Sequence, residues 1–414
     1  MNKLLKNTEI FVPGGFPKFT YNPRVELSLE SKIETVLDNL CKLVIVTGYT
    51  KSGKTVLVRK VLPREKAIWI DGGGIKDEND LWTTIIDYLG LFQNTEISNS
   101  NDLKTEVNAQ TSVEGGLILA KASAQLGASV ETSKTDSLVK SREISSRTLA
   151  LAGLKNKLIP LVIDDFHYLP KELQGDLVRA LKPLIFDGLP VVIIAIPHRR
   201  YDAIKVEKEM TGRIFPIEIP LWSESELKFI PETGFNLLDI KIDQTITEQL
   251  AKESMGSPHL MQDFCRELSR DGSDITGSIN QTFEKTAETI GRPIFEKLAK
   301  GPRQRSDRII RRLKNGEEVD IYGLVLHGLS HIKPGLITLE YEDLRTAIKE
   351  VCNAEDVPNV QEIARVLRHM SEIAATDQSS TPVIDFDDEE KRLHITDPFF
   401  AFYLRWGNIA KSAS

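Results

Sequence analysis

The sequence predicts an α/β fold built on a parallel sheet, followed by a mostly helical region. Apolar runs short enough for buried strands recur along residues 43–220, and segments with helical spacing of apolar residues separate them. Buried strands that alternate with helices are typical of a parallel sheet covered on both faces. In addition, the segment GYTKSGKT at residues 48–55 follows the apolar run LVIV after one residue, Thr47, and precedes a helical pattern. That segment marks a strand-to-helix junction in the predicted sheet.

The composition limits the class of protein. The chain has 414 residues, enough for two or three domains with cores of their own, and a net charge of −7. This mild acidity gives no general attraction to nucleic acid or to anionic membranes. The three cysteines are scattered, as expected for reduced thiols. The longest apolar run, LPVVIIAIP, is about half as long as a membrane helix, and the start lacks a signal-peptide pattern. We therefore expect a soluble, cytoplasmic protein with no membrane partner.

The elements of the α/β region follow in order along the chain. An extended arm covers residues 1–25, and apolar residues at helical spacing predict a helix over 29–40. The predicted strands cover 43–46, 66–71, 159–165, 189–197 and 214–220. The predicted helices begin near Lys54 and cover 77–89, 143–156 and 171–187, and Pro183 is expected to kink or end the last of these.

Residues 92–140 differ from the rest of the region in composition. They are rich in Ser, Thr, Asn, Ala and Gly, and they lengthen the chain between two predicted strands. We interpret them as an insertion. Two alternatives stay open: a surface loop, or a small-residue hairpin that contacts neighbouring subunits or a partner.

The C-terminal half is predicted to be helical up to a final pair of strands. SESE at 223–226 is a capping box, and further helices are expected over 243–254, 258–268 and 279–300. Strands joined by an acidic turn are expected within 382–395, and Asp397 with Pro398 begins a last helix. The aromatic residues of that helix are assigned to the core: Phe399, Phe400, Phe402, Tyr403 and Trp406.

The segment at 48–55 matches G-x-x-x-x-G-K-[ST], the phosphate-binding P-loop. Two glycines let backbone N–H groups turn toward phosphate oxygens, and the following helix adds its positive N-terminus. Lys54 is placed to reach the β- and γ-phosphates, and Thr55 to ligate Mg²⁺. The predicted nucleotide contacts are Gly48, Tyr49, Thr50, Lys51, Ser52, Gly53, Lys54 and Thr55.

The second half of such a site is an acidic residue at the end of a buried strand. LVIDD at 161–165 has this form. Asp164 is expected to hold Mg²⁺, and Asp165 to orient or deprotonate the attacking water.

These motifs resemble the AAA+ and STAND group of P-loop ATPases, closest in layout to initiator-type ATPases with a C-terminal winged helix. The resemblance implies ATP and Mg²⁺ as cofactors. It also implies a P-loop NTPase parallel sheet in the order 5-1-4-3-2, followed by a helical lid and a winged-helix domain. The corresponding domains are an arm at 1–25, an ATPase core at 26–221 that contains the insertion, a lid at 222–300 and a winged-helix-like domain at 301–414.

The resemblance also assigns site residues beyond the two motifs. The polar sensor at the end of the fourth strand falls on His198, and the arginine finger that acts on a neighbouring subunit falls on Arg213. The second sensor falls on GSPHLM, where Pro258 is followed by His259 in place of an arginine. The family usually has Glu where Asp165 stands, so slow hydrolysis is expected.

The arm carries TYNPR at the place where such proteins hold adenine. Tyr21 and Arg24 are therefore candidates to line the base, with a purely structural arm as the alternative.

The resemblance favours a nucleotide-driven switch that forms homo-oligomers and recruits or activates a partner protein, and it points to bacterial antiviral defence as the setting. The alternative is a DNA-binding ATPase of replication initiation or transposition; a small-molecule kinase is disfavoured because nothing resembles a substrate lid. RQRSDRIIRRLK at 303–314 would place Arg305, Arg308 and Arg312 near one helical face for phosphate contacts. The acidic turn at 385–390 would repel the same phosphates.

Overall fold

A computed structural model describes most of the chain. The described residues are 5–91, 94–97, 140–196, 210, 212–270, 279–300, 310–312, 318–336, 338–353, 356–376, 382–388 and 390–407. They form two compact units. The sheet unit comprises Leu29–Thr47 and Val58–Glu218, and the lid unit comprises Met1–Ser28, Gly48–Leu57 and Ile219–Ser414.

The described strands and helices are numbered in chain order. The strands are β1 Leu43–Gly48, β2 Ile68–Asp71, β3 Asn94–Ile97, β4 Lys140–Glu143, β5 Leu161–Asp164, β6 Val191–Ala195, β7 Ile214–Ile219, β8 Ile310–Arg312, β9 Glu318–Asp320, β10 Thr338–Glu340, β11 Ile384–Asp387 and β12 Arg392–Ile395. The helices are α1 Asn7–Ile10, α2 Leu29–Glu34, α3 Lys54–Val61, α4 Glu78–Leu89, α5 Ser146–Lys157, α6 Lys171–Phe186, α7 Glu224–Leu237, α8 Gln244–Glu253, α9 Pro258–Leu268, α10 Ile279–Thr286, α11 Arg292–Lys300, α12 Ile321–Ile332, α13 Tyr341–Val351, α14 Val360–Thr376 and α15 Pro398–Trp406.

The sheet unit is built on a five-stranded sheet in the order β2-β5-β6-β1-β7. The pairs β2–β5, β5–β6 and β6–β1 are parallel. Every residue of β1 and β6 is buried, as expected for strands covered on both faces. When the five strands are numbered along the chain, this order is 5-1-4-3-2 read from the other edge. The predicted parallel α/β sheet and its strand order are confirmed.

The helices of the sheet unit begin where the sequence places capping residues. Asp77 accepts a hydrogen bond from an N–H of the first turn of α4, and Ser145 does the same for α5. Pro183 lies inside α6, which continues for three more residues to Phe186. The proline therefore stands one turn before the end of the helix.

The predicted insertion at 92–140 is described only at its base. There, β3 and β4 pair antiparallel, from Asn94 opposite Glu143 to Ile97 opposite Lys140. Residues 98–139 lie outside the described part of the chain, so the choice between hairpin and loop stays open.

The lid unit contains the predicted helices and one π-helical turn. The capping box of Ser223 and Glu226 is present, and α9 has the expected bounds. The helix expected over 279–300 is present and unbroken, as α10, a π-helical turn over Ala287–Gly291, and α11. A Cβ on Gly291 would lie 2.5 Å from Tyr403 Cβ, so α15 packs directly on this turn. A helical period of 3.6 residues does not reveal such close packing from a distant helix.

Aromatic residues of α15 fill the core of the lid unit. Phe400, Phe402 and Tyr403 are fully buried, and Phe399 is 8% exposed. Phe402 packs against Phe264 of α9 with the ring centroids 5.0 Å apart. Their assignment to the core is confirmed; Trp406 is only partly buried and packs against this core.

The C-terminal part has helices and a small antiparallel sheet in the order β10-β12-β11, which is compatible with a winged helix. The predicted strand pair within 382–395 is β11 and β12. The acidic turn between them is partly neutralised, because Asp388 forms ion pairs with Arg368 of α14 at 3.4 Å and with Lys391 at 2.6 Å.

The helix expected over 303–314 was wrong for residues 310–312, the part of this segment that the structure describes. Arg312 lies in strand β8, whose partner β9 places Glu318 opposite it. The pairing of these two short strands depends on a second segment of the chain, which a helical pattern in one segment does not reveal. Arg305 and Arg308 lie outside the described residues. Across the described residues, we find no helix with the length and apolar character of a membrane span.

Candidate nucleotide-binding site

The P-loop connects β1 to α3 in a conformation that depends on its glycines. Gly53 has a φ of +92°, a region that side chains other than glycine rarely adopt. At Gly48 a Cβ would lie 2.8 Å from the carbonyl oxygen of Ile219 and 3.1 Å from Ser52 Oγ. Both glycines of the motif are therefore required by local geometry.

Lys54 lies at the start of α3 and folds back over the loop. Its side chain is buried, and Nζ donates hydrogen bonds of 2.8 Å to the carbonyl oxygens of Gly48 and Tyr49. The ammonium group is thus held inside the loop.

Two hydroxyl groups of the loop are buried without a hydrogen-bond partner. They are Thr50 Oγ1 and Ser52 Oγ, neither of which meets a donor or acceptor among the described residues. Buried hydroxyls are normally satisfied, so each of these two has a hydrogen bond left to donate. A phosphate group would accept from both hydroxyls and would be balanced by the Lys54 ammonium and the N-terminus of α3. The donor set fits a nucleotide phosphate.

The acidic motif lies at the end of β5 in the sheet unit. Asp164 is half-buried, and its Oδ1 accepts a hydrogen bond of 3.0 Å from the Asp165 N–H. Asp165 has a φ of +49°, a left-handed conformation that costs on the order of 1 kcal/mol for a residue with a Cβ. A Cβ at Gly72 would lie 2.5 Å from the Asp165 carbonyl oxygen, so this glycine lets the strained turn approach β2. Strain of this kind concentrates at functional sites.

The ends of the strands determine which residues share an edge of the sheet. Thr47 of β1 pairs with Ala195 of β6, and Ile163 of β5 pairs with Ile193 of β6. Because these strands are parallel, β1 and β5 end at the same edge. The P-loop follows β1 and the acidic pair ends β5. His198 follows β6 but lies outside the described residues.

Arg213 lies at the opposite edge of the sheet. Its carbonyl oxygen accepts a hydrogen bond of 3.0 Å from the N–H of Leu43, the first residue of β1. Because a strand rises about 3.3 Å per residue, this point is roughly 17 Å from the end of β1 at Gly48. The Arg213 guanidinium lies 5.3 Å from the ring of Phe186, whose side chain is 62% exposed. Arg213 is thus far from the acidic pair of its own sheet.

The Arg24 side chain of the arm is buried and hydrogen-bonded within the lid unit. Its guanidinium lies 5.0 Å from the Trp222 ring and pairs with Glu226 at 2.7 Å. Burial alone would raise the pKa of Glu226, but the hydrogen bonds from Arg24 and Ser223 lower it below its usual value. Tyr21 is half-buried. Lining of an adenine base by Tyr21 and Arg24 stays a prediction.

The second-sensor segment packs beside the P-loop. Pro258 begins α9, and its ring lies 3.9 Å from the position that a Cβ on Gly53 would take. Burial, and then the charge of Lys51, lowers the pKa of His259 to about 4. His259 is therefore uncharged near neutral pH and supplies no arginine-like charge. Burial raises the pKa of its neighbour Asp263, 3.5 Å away, to about 7.

Several solved structures are similar to the chain. A Walker-type ATPase of Pyrococcus abyssi is similar to the chain, with a TM-score of 0.52, 15% identity and coverage of 91% of this chain and 94% of the other. The chain has the fold of this Walker-type ATPase. The ORC2 protein of Aeropyrum pernix is similar at a TM-score of 0.49 with 14% identity, each chain covered at 100%. A STAND protein of Pyrococcus horikoshii with a tetratricopeptide repeat sensor matches at a TM-score of 0.40 and 14% identity, over 94% of this chain and 43% of that one. No family model and no curated protein matches the chain.

The sequence did not reveal the residues that hydrogen-bond to the backbone carbonyl groups of this ATPase-like P-loop. The indole N–H of Trp222 donates to the Ser52 carbonyl oxygen at 2.9 Å, and Ser257 Oγ donates to the Lys51 carbonyl oxygen at 3.4 Å. The Lys51 ammonium lies 5.2 Å from the ring of Phe399, the second residue of α15. These residues are 170 or more positions from the loop, so no local motif could indicate them.

Proposed function

We propose that the chain is a cytoplasmic ATP-binding switch of the AAA+/STAND type, which hydrolyses ATP slowly and changes its assembly state with the nucleotide. The observation that carries the proposal is the donor set of the P-loop. Lys54 is buried within the loop, and the buried hydroxyls of Thr50 and Ser52 have no partner among the described residues. These three groups are complementary to a polyphosphate.

Each motif residue has a role in this proposal. Residues 48–55 hold the phosphates, and Lys54 neutralises charge at the β- and γ-phosphates. Thr55 and Asp164 hold Mg²⁺ together with phosphate oxygens and water, because Mg²⁺ in nucleotide sites keeps few protein ligands. When bound, Mg²⁺ offsets the negative charge that develops on the phosphates. Asp165 orients the attacking water and accepts its proton. An aspartate reaches less far than the usual glutamate, which is the reason to expect slow turnover.

The assembly part of the proposal rests on Arg213. This residue is exposed and lies at the edge of the sheet opposite to Asp164. The family resemblance implies that an arginine in that position serves the nucleotide of a second copy rather than its own. We therefore propose homo-oligomers in which Arg213 completes a neighbour's site, with His198 as the polar sensor. The assembled form recruits or activates a partner protein, and the resemblance to defence ATPases suggests antiviral defence as its setting.

A second candidate is a DNA-binding ATPase of replication initiation or transposition. The basic composition of 303–314 favours it, with six positive residues against one negative in RQRSDRIIRRLK. Binding through phosphates would weaken steeply between 50 and 200 mM salt. Fluorescence anisotropy with a labelled duplex at several salt concentrations tests this: no binding at low salt removes the candidate.

Mass photometry with and without ATP and Mg²⁺ tests the switch. We expect ATP to build a discrete oligomer that Lys54→Ala abolishes, because the variant loses the cation of the loop. Asp165→Ala should retain the oligomer and lose phosphate release. Arg213→Ala should lower turnover in the oligomer without lowering the affinity for ATP. A monomer in saturating ATP and Mg²⁺, with a turnover that Arg213→Ala leaves unchanged, contradicts the assembly proposal.

A further inference from the structure

Trp222 belongs to none of the nucleotide-binding motifs, yet it contacts the P-loop directly. It lies between β7 and α7, and its indole N–H donates to the carbonyl oxygen of Ser52 at 2.9 Å. A backbone carbonyl held in this way has a fixed direction.

Trp222 is itself held on two sides. Its backbone N–H donates to the Gly256 carbonyl oxygen at 3.3 Å. The Arg24 guanidinium lies 5.0 Å from the centre of its ring, and this side chain is only 4% exposed. Arg24 is fixed in turn by two hydrogen bonds to Glu226, at 2.7 and 3.0 Å, and by bonds to the carbonyl oxygens of Pro220 and Leu221. The indole is therefore a rigid donor.

The direction of the Ser52 carbonyl determines the direction of the next N–H. A peptide group is planar and trans, so its C=O and N–H point in opposite directions. The indole holds the Ser52 carbonyl toward Trp222, and the Gly53 N–H consequently points away from Trp222. Gly53 can adopt this orientation because its φ of +92° carries no steric penalty for glycine. A free peptide group next to a glycine would otherwise rotate easily.

We propose that Trp222 is a positioning residue for nucleotide binding, which holds the Ser52–Gly53 peptide with its N–H available to a phosphate oxygen. The inference rests on the proposed ATP site. Trp222 need not touch the nucleotide. It keeps the Ser52–Gly53 peptide group ordered before the ligand arrives, so that nucleotide binding does not include the entropy cost of ordering it.

The chain offers a matched control for Trp222. Trp69 also donates its indole N–H to a backbone carbonyl, that of Leu62 at 3.0 Å, and the Arg64 guanidinium lies 5.9 Å from its ring. Phenylalanine at either position keeps an aromatic ring and removes the donor. Trp69 is 5% exposed, so Trp69→Phe should cost at least as much stability as Trp222→Phe. An effect found only with Trp222→Phe is therefore not a consequence of general destabilisation.

The experiment has two readouts on the full chain. The first is hydrogen exchange of peptides covering 48–55 in the nucleotide-free protein, which should become faster in Trp222→Phe and stay unchanged in Trp69→Phe. The second is the Kd for MgATP, which we expect to rise roughly fivefold in Trp222→Phe only, the equivalent of one ordinary hydrogen bond. Equal exchange in the two variants, or an equal Kd for MgATP, overturns the inference.

Lys54→Ala separates this inference from the proposed function. If the unmodified chain binds no MgATP, or binds it as well as Lys54→Ala does, the ATP site is wrong and the positioning role falls with it. If Lys54→Ala abolishes binding while Trp222→Phe behaves like Trp69→Phe, the ATP site stands and only the role of Trp222 is overturned.

Discussion

Removal of the Glu253 carboxylate is expected to weaken the contact between α15 and the lid helix α8. Glu253 is the last residue of α8, and its side chain is 7% exposed. It accepts hydrogen bonds from Arg405 Nε at 3.1 Å, Arg405 Nη2 at 2.9 Å and Trp406 Nε1 at 2.7 Å. Both donors belong to α15. Glu253→Ala leaves the indole N–H and the guanidinium without this acceptor.

The expected loss of stability follows from these three hydrogen bonds. Hydrogen bonds to a charged group contribute about 1.5–3 kcal/mol each, and removal of one partner from a buried ion pair costs about 3–5 kcal/mol. The Arg405 side chain is 28% exposed and can regain water, which lowers the cost. We therefore expect Glu253→Ala to reduce the free energy of unfolding of the lid unit by about 3 kcal/mol.

Urea unfolding followed by circular dichroism measures this loss. The control is Glu248→Ala on the same helix, where the side chain is 48% exposed and pairs with Lys228 at 3.2 Å. Exposed pairs contribute little, so the control should unfold almost like the unmodified chain. A urea midpoint that Glu253→Ala shifts no further than Glu248→Ala does would contradict this prediction.

Two further changes test the packing and the charge of the lid unit. Gly291→Ala places a Cβ 2.5 Å from Tyr403 Cβ and should lower the free energy of unfolding, measured by thermal scans, by about 1–3 kcal/mol. The control is Gly74→Ala, whose added Cβ would have no atom within 4 Å and should change this free energy little. Burial raises the pKa of Asp263 to about 7, above its unfolded value, so the carboxyl favours folding at pH 4 and this contribution is lost as the pH rises to about 7. The Asp263→Asn variant has no titrating carboxyl at this position. Its free energy of unfolding, minus that of the unmodified chain, should therefore rise by about 2 kcal/mol between pH 4 and pH 8. This is half of the value that a shift of three pKa units gives for a fully buried group. A difference that stays constant with pH would show that this carboxyl is not perturbed in the folded chain.

The strands of the sheet could be predicted because their signals are local and redundant, whereas their order was an implication of the family resemblance. The strands around β1 and β6 are continuous apolar runs, and the P-loop glycines, Lys54 and Asp164 lie within short segments next to them. In a parallel sheet the ends of β1 and β5 share an edge, so the short motifs that follow these strands belong to the same edge.

What the sequence did not predict depends on contacts between distant segments. Helix α15 packs on the π-helical turn before Arg292. Strand β8, which pairs with β9, lies in a segment that was expected to be helical. Trp222 binds the loop through one indole N–H, which leaves no periodic or motif signal. The domain boundary expected near residue 300 stays a prediction, although Glu253 and Arg405 link the segments on either side of it.

Isothermal titration calorimetry of the purified chain with MgATP tests the central claim most directly. The comparison is with Lys54→Ala, which removes the buried ammonium of the loop, and with Lys32→Ala, which removes an exposed lysine of α2. We expect one site per chain, binding that is lost in Lys54→Ala and unchanged binding in Lys32→Ala. Binding that survives in Lys54→Ala at the same affinity, or no binding of MgATP to the unmodified chain, would contradict this claim.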